Sequence, residues 1–251
     1  MATRRRFLTA LPLLGSPVLA GAATSRAYAV VIGDSIAEGE PNRHGRLNVN
    51  GQFVPDYPSQ PGQLSYELAK YSGVFHVNHG IGGQVAAQVR QRWPRDVLAE
   101  DLDPGDGRGS RTLPKGRLPA LVYLHVGIND IAARVPLQSM QDSFTYFAQT
   151  TQGRGLPLVI DNIGSWLGMP PPMVDEARAF NTWLVEELAP RHQNIVVADY
   201  LDWSSGNTGD YRVMAPGKFV DGLHPTMEGY QDFARYVHDT VKLPARSAVH
   251  Y

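Results

Sequence analysis

Short apolar segments rich in β-branched residues alternate with longer amphipathic segments, and this alternation limits the possible folds most narrowly. Five segments are almost continuously apolar, as is typical of strands covered on both faces: 28–32, 74–77, 120–126, 156–160 and 194–198. Amphipathic patterns between and after them predict helices at about 63–72, 84–101, 136–152, 173–189 and 226–240. The sequence therefore predicts an α/β domain with a parallel sheet of about five strands and helices on both faces.

The composition fits a globular protein and excludes several kinds of chemistry. The 251 residues are 43% hydrophobic and 19% charged, which is enough to build a sizeable core. Because 23 Lys and Arg balance 24 Asp and Glu, and no basic stripe stands out, we expect no nucleic-acid partner. The chain has no cysteine, which excludes disulfides, thiolate zinc sites, iron–sulfur clusters and a cysteine nucleophile.

The first residues predict an export signal. Three arginines at positions 4–6 precede the apolar segment 7–23, and no acidic residue occurs before Asp34. This arrangement resembles the bacterial twin-arginine signal, and Ala20 and Ala22 offer an A-x-A cleavage site. A second cleavage site, at Ala27 and Ala29, would cut at the edge of the first strand, so the first site is preferred. A retained membrane anchor is disfavoured because prolines interrupt the short apolar run. We therefore expect residues 1–22 to be removed and a single domain, 23–251, to act in the periplasm or outside the cell. No stable membrane association is expected after the signal is removed, and the sequence leaves the oligomeric state open.

Three segments, 36–62, 102–119 and 200–223, are longer than ordinary loops. The second is rich in glycine, proline and charge, and this composition predicts a mobile surface loop. The first and third flank the motifs that carry the chemistry.

Four short motifs lie where the predicted fold would bring them together. They are Gly33-Asp34-Ser35, Asn78-His79-Gly80-Ile81-Gly82-Gly83, Gly127-Ile128-Asn129-Asp130 and Asp221-Gly222-Leu223-His224-Pro225. Three follow successive strands and the fourth precedes the last helix, and the carboxyl ends of parallel strands meet at one edge of a sheet. Taken singly, each motif also fits an ordinary turn or helix cap.

Together these residue types fit nucleophilic catalysis. His224 could take the proton of Ser35, and Asp221 could orient the imidazole. A free N–H among the glycines of the second motif could face an anion, and the Asn129 amide could donate to a developing oxyanion. No glycine stands two residues after Ser35, which argues against the G-x-S-x-G turn of α/β-hydrolases.

The four motifs, in this order, resemble the blocks of the SGNH hydrolases, also called GDSL-type esterases and lipases. Ile36 stands where the family name has leucine. The second block matches at Asn78, Gly80 and Gly83, and the third matches at Gly127, Asn129 and Asp130. The fourth block matches at Asp221 and His224. The resemblance extends over residues 33–225.

This resemblance implies a three-layer α/β/α, flavodoxin-like domain and a serine esterase that needs no metal and no other cofactor. Ser35 would be the nucleophile, His224 the base and Asp221 its orienting acid. The oxyanion hole would combine the backbone N–H groups of Ser35 and Gly83 with the Asn129 amide, and Gly82 is the alternative to Gly83. Asp34 would shape the turn around the nucleophile.

The substrate is less constrained by the sequence. Segment 38–62 is polar with occasional aromatics, which favours a sugar or another polyhydroxyl alcohol over a long acyl chain, although an ordinary solvated loop has the same composition. His79, Trp166 and Trp203 lie near predicted strand ends and are candidate substrate contacts, although each tryptophan could equally pack under a loop. His125, inside the third strand, is expected to be a core residue.

We therefore expect a small-molecule or glycan ester as substrate, with removal of short, acetyl-like acyl groups from a polar or carbohydrate-like alcohol. A lysophospholipase, a lipase-like esterase or a thioesterase for longer acyl chains is the main alternative. An acyltransferase and a flavodoxin-like binding module without activity are further alternatives.

Overall fold

The computed structural model describes residues 28–42, 47–49, 52–54, 59–100 and 117–241. The predicted export signal and most of the predicted surface loop 102–119 lie outside these ranges. Within them, no helix is both long enough and apolar enough to cross a membrane.

Five parallel strands form the central sheet. They are β1 (Tyr28–Gly33), β4 (Phe75–Gly80), β5 (Leu121–His125), β6 (Leu158–Asp161) and β7 (Ile195–Ala198), in the spatial order β4-β1-β5-β6-β7. All five predicted strands are present. β4 extends three residues further than its apolar pattern indicated, through Asn78, His79 and Gly80, because it keeps its register with β1 up to the Gly33–Gly80 pair.

A separate antiparallel hairpin, β2 (Leu47–Val49) and β3 (Gln52–Val54), lies in the segment that the sequence left as a long loop. Strands of three residues are too short to produce a readable alternation of apolar and polar residues.

The longer helices match the predicted ones. They are α2 (Leu64–Ser72), α3 (Ala86–Asp96), α5 (Leu137–Gly153), α6 (Pro171–Trp183) and α9 (Met227–Thr240). A π-helical turn, Leu184–Leu188, joins α6 to the short α7 (Ala189–Arg191). Three further short helices follow strands directly: α1 (Ser35–Glu38), α4 (Ile128–Ala132) and α8 (Tyr200–Ser204).

The two faces of the sheet are covered by different helices, which gives the three-layer α/β/α arrangement. Along β1, Val30 and Ile32 face the core that α3, α5 and α6 complete, whereas Val31 faces the core that α2 and α9 complete. Successive side chains of a strand point to opposite faces, so a strand covered on both sides must be apolar at every position.

The strand order reverses at β1, and this reversal locates the site. The chain leaves β1 for β4 on one side and then returns to β5 on the other. In open α/β sheets such a reversal leaves a crevice at the carboxyl ends of the strands, where ligands bind. Ser35 begins α1 directly at the end of β1.

Candidate active site

A tight turn places Ser35 at the end of the central strand. Asp34 caps α1, because its Oδ1 accepts the Ile36 N–H at 3.0 Å, and its own N–H donates to the His125 carbonyl at 3.0 Å. Gly33 has φ +151°, and a Cβ there would lie 1.7 Å from the same carbonyl oxygen, so the position requires glycine. Asp34 is fully buried, and this burial raises the pKa of its carboxyl.

The structure brings Ser35, His224 and Asp221 together in one hydrogen-bonded chain. Ser35 Oγ lies 2.8 Å from His224 Nε2, although the two residues are 189 positions apart. His224 Nδ1 lies 2.7 Å from Asp221 Oδ2. The other carboxylate oxygen of Asp221 accepts the backbone N–H groups of Leu223 and His224 at 3.0 and 2.8 Å.

The charge of Asp221 fixes the useful tautomer of His224. Partial burial would raise the pKa of Asp221, but hydrogen bonds from the His224 backbone and ring, together with the charge of an imidazolium, lower it overall. The ionised carboxylate can only accept, so Nδ1 carries the hydrogen and Nε2 is left to accept the proton of Ser35.

The loop that carries these two residues is held by backbone hydrogen bonds. Val220 N–H donates to the His224 carbonyl, and Leu167 N–H donates to the Gly222 carbonyl, each at 2.9 Å. Gly222 has φ +81°, and a Cβ there would lie 2.6 Å from the Leu167 side chain. The segment after β6 therefore supports the Asp221–His224 loop.

The second motif presents one free amide. Gly82 N–H donates to Glu38 Oε2 at 2.6 Å. Gly83 has φ +78°, and its N–H has no acceptor in the part of the chain that the structure describes. The arrangement therefore leaves the Gly83 amide, and not that of Gly82, available to a ligand.

Asn129 and Asp130 join the third motif to the second. Asn129 Nδ2 donates to the Gln84 carbonyl at 3.1 Å, which leaves the second hydrogen of the amide for another acceptor. Both Asp130 oxygens accept the Ala86 N–H at the start of α3, at 3.2 and 2.9 Å. Burial raises the pKa of Asp130 to about 7.

The three candidate substrate contacts have different surroundings. The prediction for Trp203 is wrong, because its side chain is only 2% exposed, packs on Phe233 and donates its indole N–H to Asp232 at 2.9 Å. The short helix α8, which the sequence did not predict, places this ring in the core against α9. Trp166, the residue before Leu167 in the chain, is partly buried. His79 keeps 17% of its side chain exposed, and its Nδ1 lies 4.0 Å from Asp96 Oδ2. Their roles stay predictions.

Two buried charged residues that the sequence analysis did not single out hold the motifs together. Arg92 donates to the Gly33 carbonyl at 2.9 Å, to the Gln84 side chain at 2.7 Å and to Asp96 at 2.8 Å. Glu38 accepts from Gly82, as described above. The four-residue spacing of Arg92 and Asp96 on a predicted helix indicated their ion pair, but not the contact of Arg92 with Gly33, and Glu38 gave no signal.

His125 has the core position that was expected of it. It is buried, and its Nδ1 lies 2.6 Å from Asp161 Oδ2. Among the side chains that the structure describes, no group of three or more His, Asp or Glu is placed to hold a metal ion.

Comparisons with known proteins identify the family of this chain. The family model of the GDSL-like lipase/acylhydrolase family matches residues 31–231. No curated protein matches the chain at the level of sequence.

Several solved structures share the fold. One is a lipolytic protein of the G-D-S-L family from Desulfitobacterium hafniense DCB-2, with 20% identity and a TM-score of 0.61 over 85% of this chain and 99% of that one. A GDSL-like lipase from Bacteroides thetaiotaomicron VPI-5482 has 18% identity and a TM-score of 0.59 over 85% and 86%. A catalytic mutant of Axe2, an acetylxylan esterase from Geobacillus stearothermophilus, has 16% identity and a TM-score of 0.59 over 87% and 95%.

The family match covers most of the chain, from β1 to α9, and includes all four motifs. The chain belongs to the GDSL-like lipase/acylhydrolase family and is a carboxylic ester hydrolase.

Proposed function

We infer that this protein removes short, acetyl-like acyl groups from a polar or carbohydrate-like alcohol, through an acyl-enzyme formed on Ser35. The observation that carries the serine mechanism is the 2.8 Å separation of Ser35 Oγ and His224 Nε2, with Asp221 behind the imidazole at 2.7 Å. A nucleophile, a base and an orienting acid within hydrogen-bond reach are what acyl transfer requires.

The reaction proceeds in two halves. Ser35 Oγ attacks the ester carbonyl carbon while its proton moves to His224 Nε2. The carbonyl oxygen becomes an oxyanion that the backbone N–H groups of Ser35 and Gly83 and Asn129 Nδ2 stabilise. The intermediate collapses, the ester C–O bond breaks, and the alcohol leaves with the proton from His224. Water then attacks the acyl-enzyme, gives a proton to His224, and the acid leaves as Ser35 regains its hydrogen.

A small cavity lined by chain neighbours of Ser35 and His224 supports a short acyl group. Its volume is about 10 Å³, and its walls include Ile36 and Leu223, the immediate neighbours of Ser35 and His224. Ile128 from α4 and Ile163 from the segment after β6 also line it, together with polar residues that include His125 and Asp161. A space of about 10 Å³ holds at most one water-sized group, and we take this as support for a short acyl group.

The alcohol is inferred from weaker observations. The sequence of segment 38–62 is polar, which suits a hydroxyl-rich leaving group. Axe2 is an acetylxylan esterase, which is consistent with an acetylated carbohydrate as the substrate of a protein with this fold. The GDSL-like lipase from Bacteroides thetaiotaomicron and Axe2 have the same TM-score to this chain, 0.59, so comparison of folds alone does not choose among substrates.

The site of action is proposed from the sequence alone. The arginines at positions 4–6 and the apolar segment after them favour export by the twin-arginine route, with cleavage after Ala22. Fractionation of a bacterial host that expresses the full chain, with N-terminal sequencing of the product, tests this. Replacement of Arg4, Arg5 and Arg6 by lysine should keep the protein in the cytoplasm.

A chain-length series tests the choice of substrate. We expect wild-type kcat/KM to be highest on p-nitrophenyl acetate and to fall steadily up to the twelve-carbon ester, and we expect acetate release from an acetylated xylooligosaccharide. Leu223→Ala enlarges the cavity and should shift the optimum to longer acyl groups. Activity that rises with chain length in the wild type would replace this proposal with the lipase or thioesterase alternative. A loss of free acetate when a competing sugar alcohol is added would instead indicate acyl transfer.

A further inference from the structure

Glu38 joins the nucleophile to the segment that carries the proposed oxyanion donor. It lies one helical turn after Ser35, on the same short helix α1, and only 1% of the residue is exposed. Its Oε2 accepts the Gly82 N–H at 2.6 Å, and its carbonyl accepts Asn78 Nδ2 at 3.0 Å. A buried carboxylate with so short a hydrogen bond holds its partner firmly.

The contact between α1 and this segment is also close at the level of the backbone. A Cβ at Gly80 would lie 2.0 Å from Glu38 N and 2.4 Å from the carbonyl carbon of Ala37. Asn78 Oδ1 accepts the Gly80 N–H at 2.9 Å, so the same asparagine bonds to the segment and to α1. The segment 78–82 is therefore held to α1 on both sides of Gly80.

The conformation of the loop makes this anchor important for Gly83. Gly82 and Gly83 follow each other without a side chain to restrict them, and glycine rotates freely about φ and ψ. The Gly82 N–H is held by Glu38, while the next N–H, that of Gly83, has no acceptor in the residues that the structure covers. Asn129 and Arg92 hold Gln84 on the far side of Gly83. Without Glu38, the peptide that carries the Gly83 N–H would therefore be fixed from one side only.

We propose that Glu38 is a positioning residue that acts through Gly82 to keep the Gly83 N–H aimed at the carbonyl oxygen of the ester. Because Ser35 and Glu38 share one helical turn, the nucleophile and the oxyanion donor move as one unit. The inference rests on the proposed serine mechanism. An oxyanion donor acts only when its hydrogen is placed accurately, so loss of Glu38 should lower kcat far more than it changes KM.

Three variants at this position separate positioning from folding. Glu38→Gln keeps an oxygen that can accept the Gly82 N–H and should stay within about threefold of the wild-type kcat on p-nitrophenyl acetate. Glu38→Ala removes the acceptor, and Glu38→Asp withdraws it by one methylene. Both should lower kcat by roughly 10- to 100-fold, with KM changed by less than about threefold. The Ki of phenylboronic acid, which forms a tetrahedral adduct on the serine, should rise in parallel.

Glu67 provides the matched control. It is also 1% exposed, and its Oε1 accepts a loop amide, that of Gly62, at 2.9 Å. It lies on α2, and among the described residues its carboxylate has no hydrogen bond to residues 78–83. Glu67→Ala should change the melting temperature and leave kcat within about threefold of the wild type.

The outcomes are distinct. If Ser35→Ala retains the esterase activity of the wild type, the serine mechanism fails and this inference falls with it. If activity depends on Ser35 but both Glu38→Asp and Glu38→Ala keep kcat within threefold, the positioning role alone is refuted. It is also refuted if Glu38→Gln loses as much kcat as Glu38→Ala, or if Glu67→Ala loses as much. Should Glu38→Ala not fold, the comparison of Glu38→Asp with Glu38→Gln decides the question.

Discussion

The side-chain amide of Asn129 donates a hydrogen bond to the carbonyl of Gln84 at 3.1 Å, so the third motif is fastened to the residue that follows Gly83. Two proposed oxyanion donors from different strand ends are thereby held next to each other. One hydrogen of the Asn129 amide is used in this contact and the other is left for the substrate.

Replacement of Asn129 tests its proposed role as a donor. We expect Asn129→Ala to lower kcat on p-nitrophenyl acetate about 10²- to 10³-fold with little change in KM, which is the usual effect of removing one oxyanion donor. Asn129→Asp provides a second comparison, because it keeps the shape, loses the donor and adds a negative charge. A variant with wild-type kcat would show that Asn129 only fastens the turn.

The acid of the proposed triad should be needed for rate and not for folding. Asp221→Asn keeps the volume of the side chain but no longer favours the tautomer in which Nε2 accepts, so kcat should fall roughly 10³- to 10⁴-fold. Asp232→Asn is the matched control, because Asp232 is also a partly exposed acid, but its carboxylate accepts from Trp203 and pairs with Lys218, not with His224. Equal losses in the two variants would contradict the assignment.

The turn before the nucleophile should not accept any side chain. Gly33→Ala places a methyl group 1.7 Å from the His125 carbonyl oxygen, a backbone atom of the central sheet, and should lower the free energy of unfolding by at least about 3 kcal/mol. Gly73→Ala is the control, since its φ of +65° is also left-handed but no atom lies within 4 Å of the added methyl. Gly73→Ala should lower the free energy of unfolding by only about 1 kcal/mol. Urea denaturation of both variants makes the comparison.

Burial of His76 should make the protein less stable in acid. The residue is buried in β4, and burial lowers its pKa from 6.5 to about 4, even though its ring bonds to the Val74 carbonyl at 2.7 Å. The unfolded chain binds a proton at a pH where the folded chain does not. The contribution of His76 is therefore complete above pH 6.5 and is lost as the pH falls towards 4.

His76→Asn keeps a donor for the Val74 carbonyl and cannot titrate. From pH 7 to pH 4, the wild type should lose about 3 kcal/mol more unfolding free energy than this variant. If urea denaturation shows that both proteins lose the same unfolding free energy from pH 7 to pH 4, the ring is protonated in the folded protein at pH 4, which contradicts the prediction.

The sheet and its long helices could be predicted because their signal is an apolar period that extends over many residues. The short elements could not, because α1, α4 and α8 span only four or five residues each and β2 and β3 only three, which is too few for a period to appear. Trp203 shows the consequence: its place after β7 suggested either a substrate contact or packing under a loop, and the unpredicted α8 puts it in the core.

The motif residues were readable because Ser35 and Asn129 follow predicted strands and Asp221 precedes the last predicted helix. Glu38 and Arg92 support those motifs through contacts with residues that are distant in the sequence. Glu38 meets Gly82 across 44 residues, and Arg92 meets Gly33 across 59. Local patterns carry no information about such contacts.

The most direct test of the account is the rate of p-nitrophenyl acetate hydrolysis by the wild type and by Ser35→Ala, measured side by side on folded protein. We predict clear turnover by the wild type and a loss of at least about 10³-fold in the variant, because Ser35 supplies the only bond to the acyl group. No turnover by the wild type, or equal turnover by the two proteins, would contradict the assignment of Ser35 as the nucleophile.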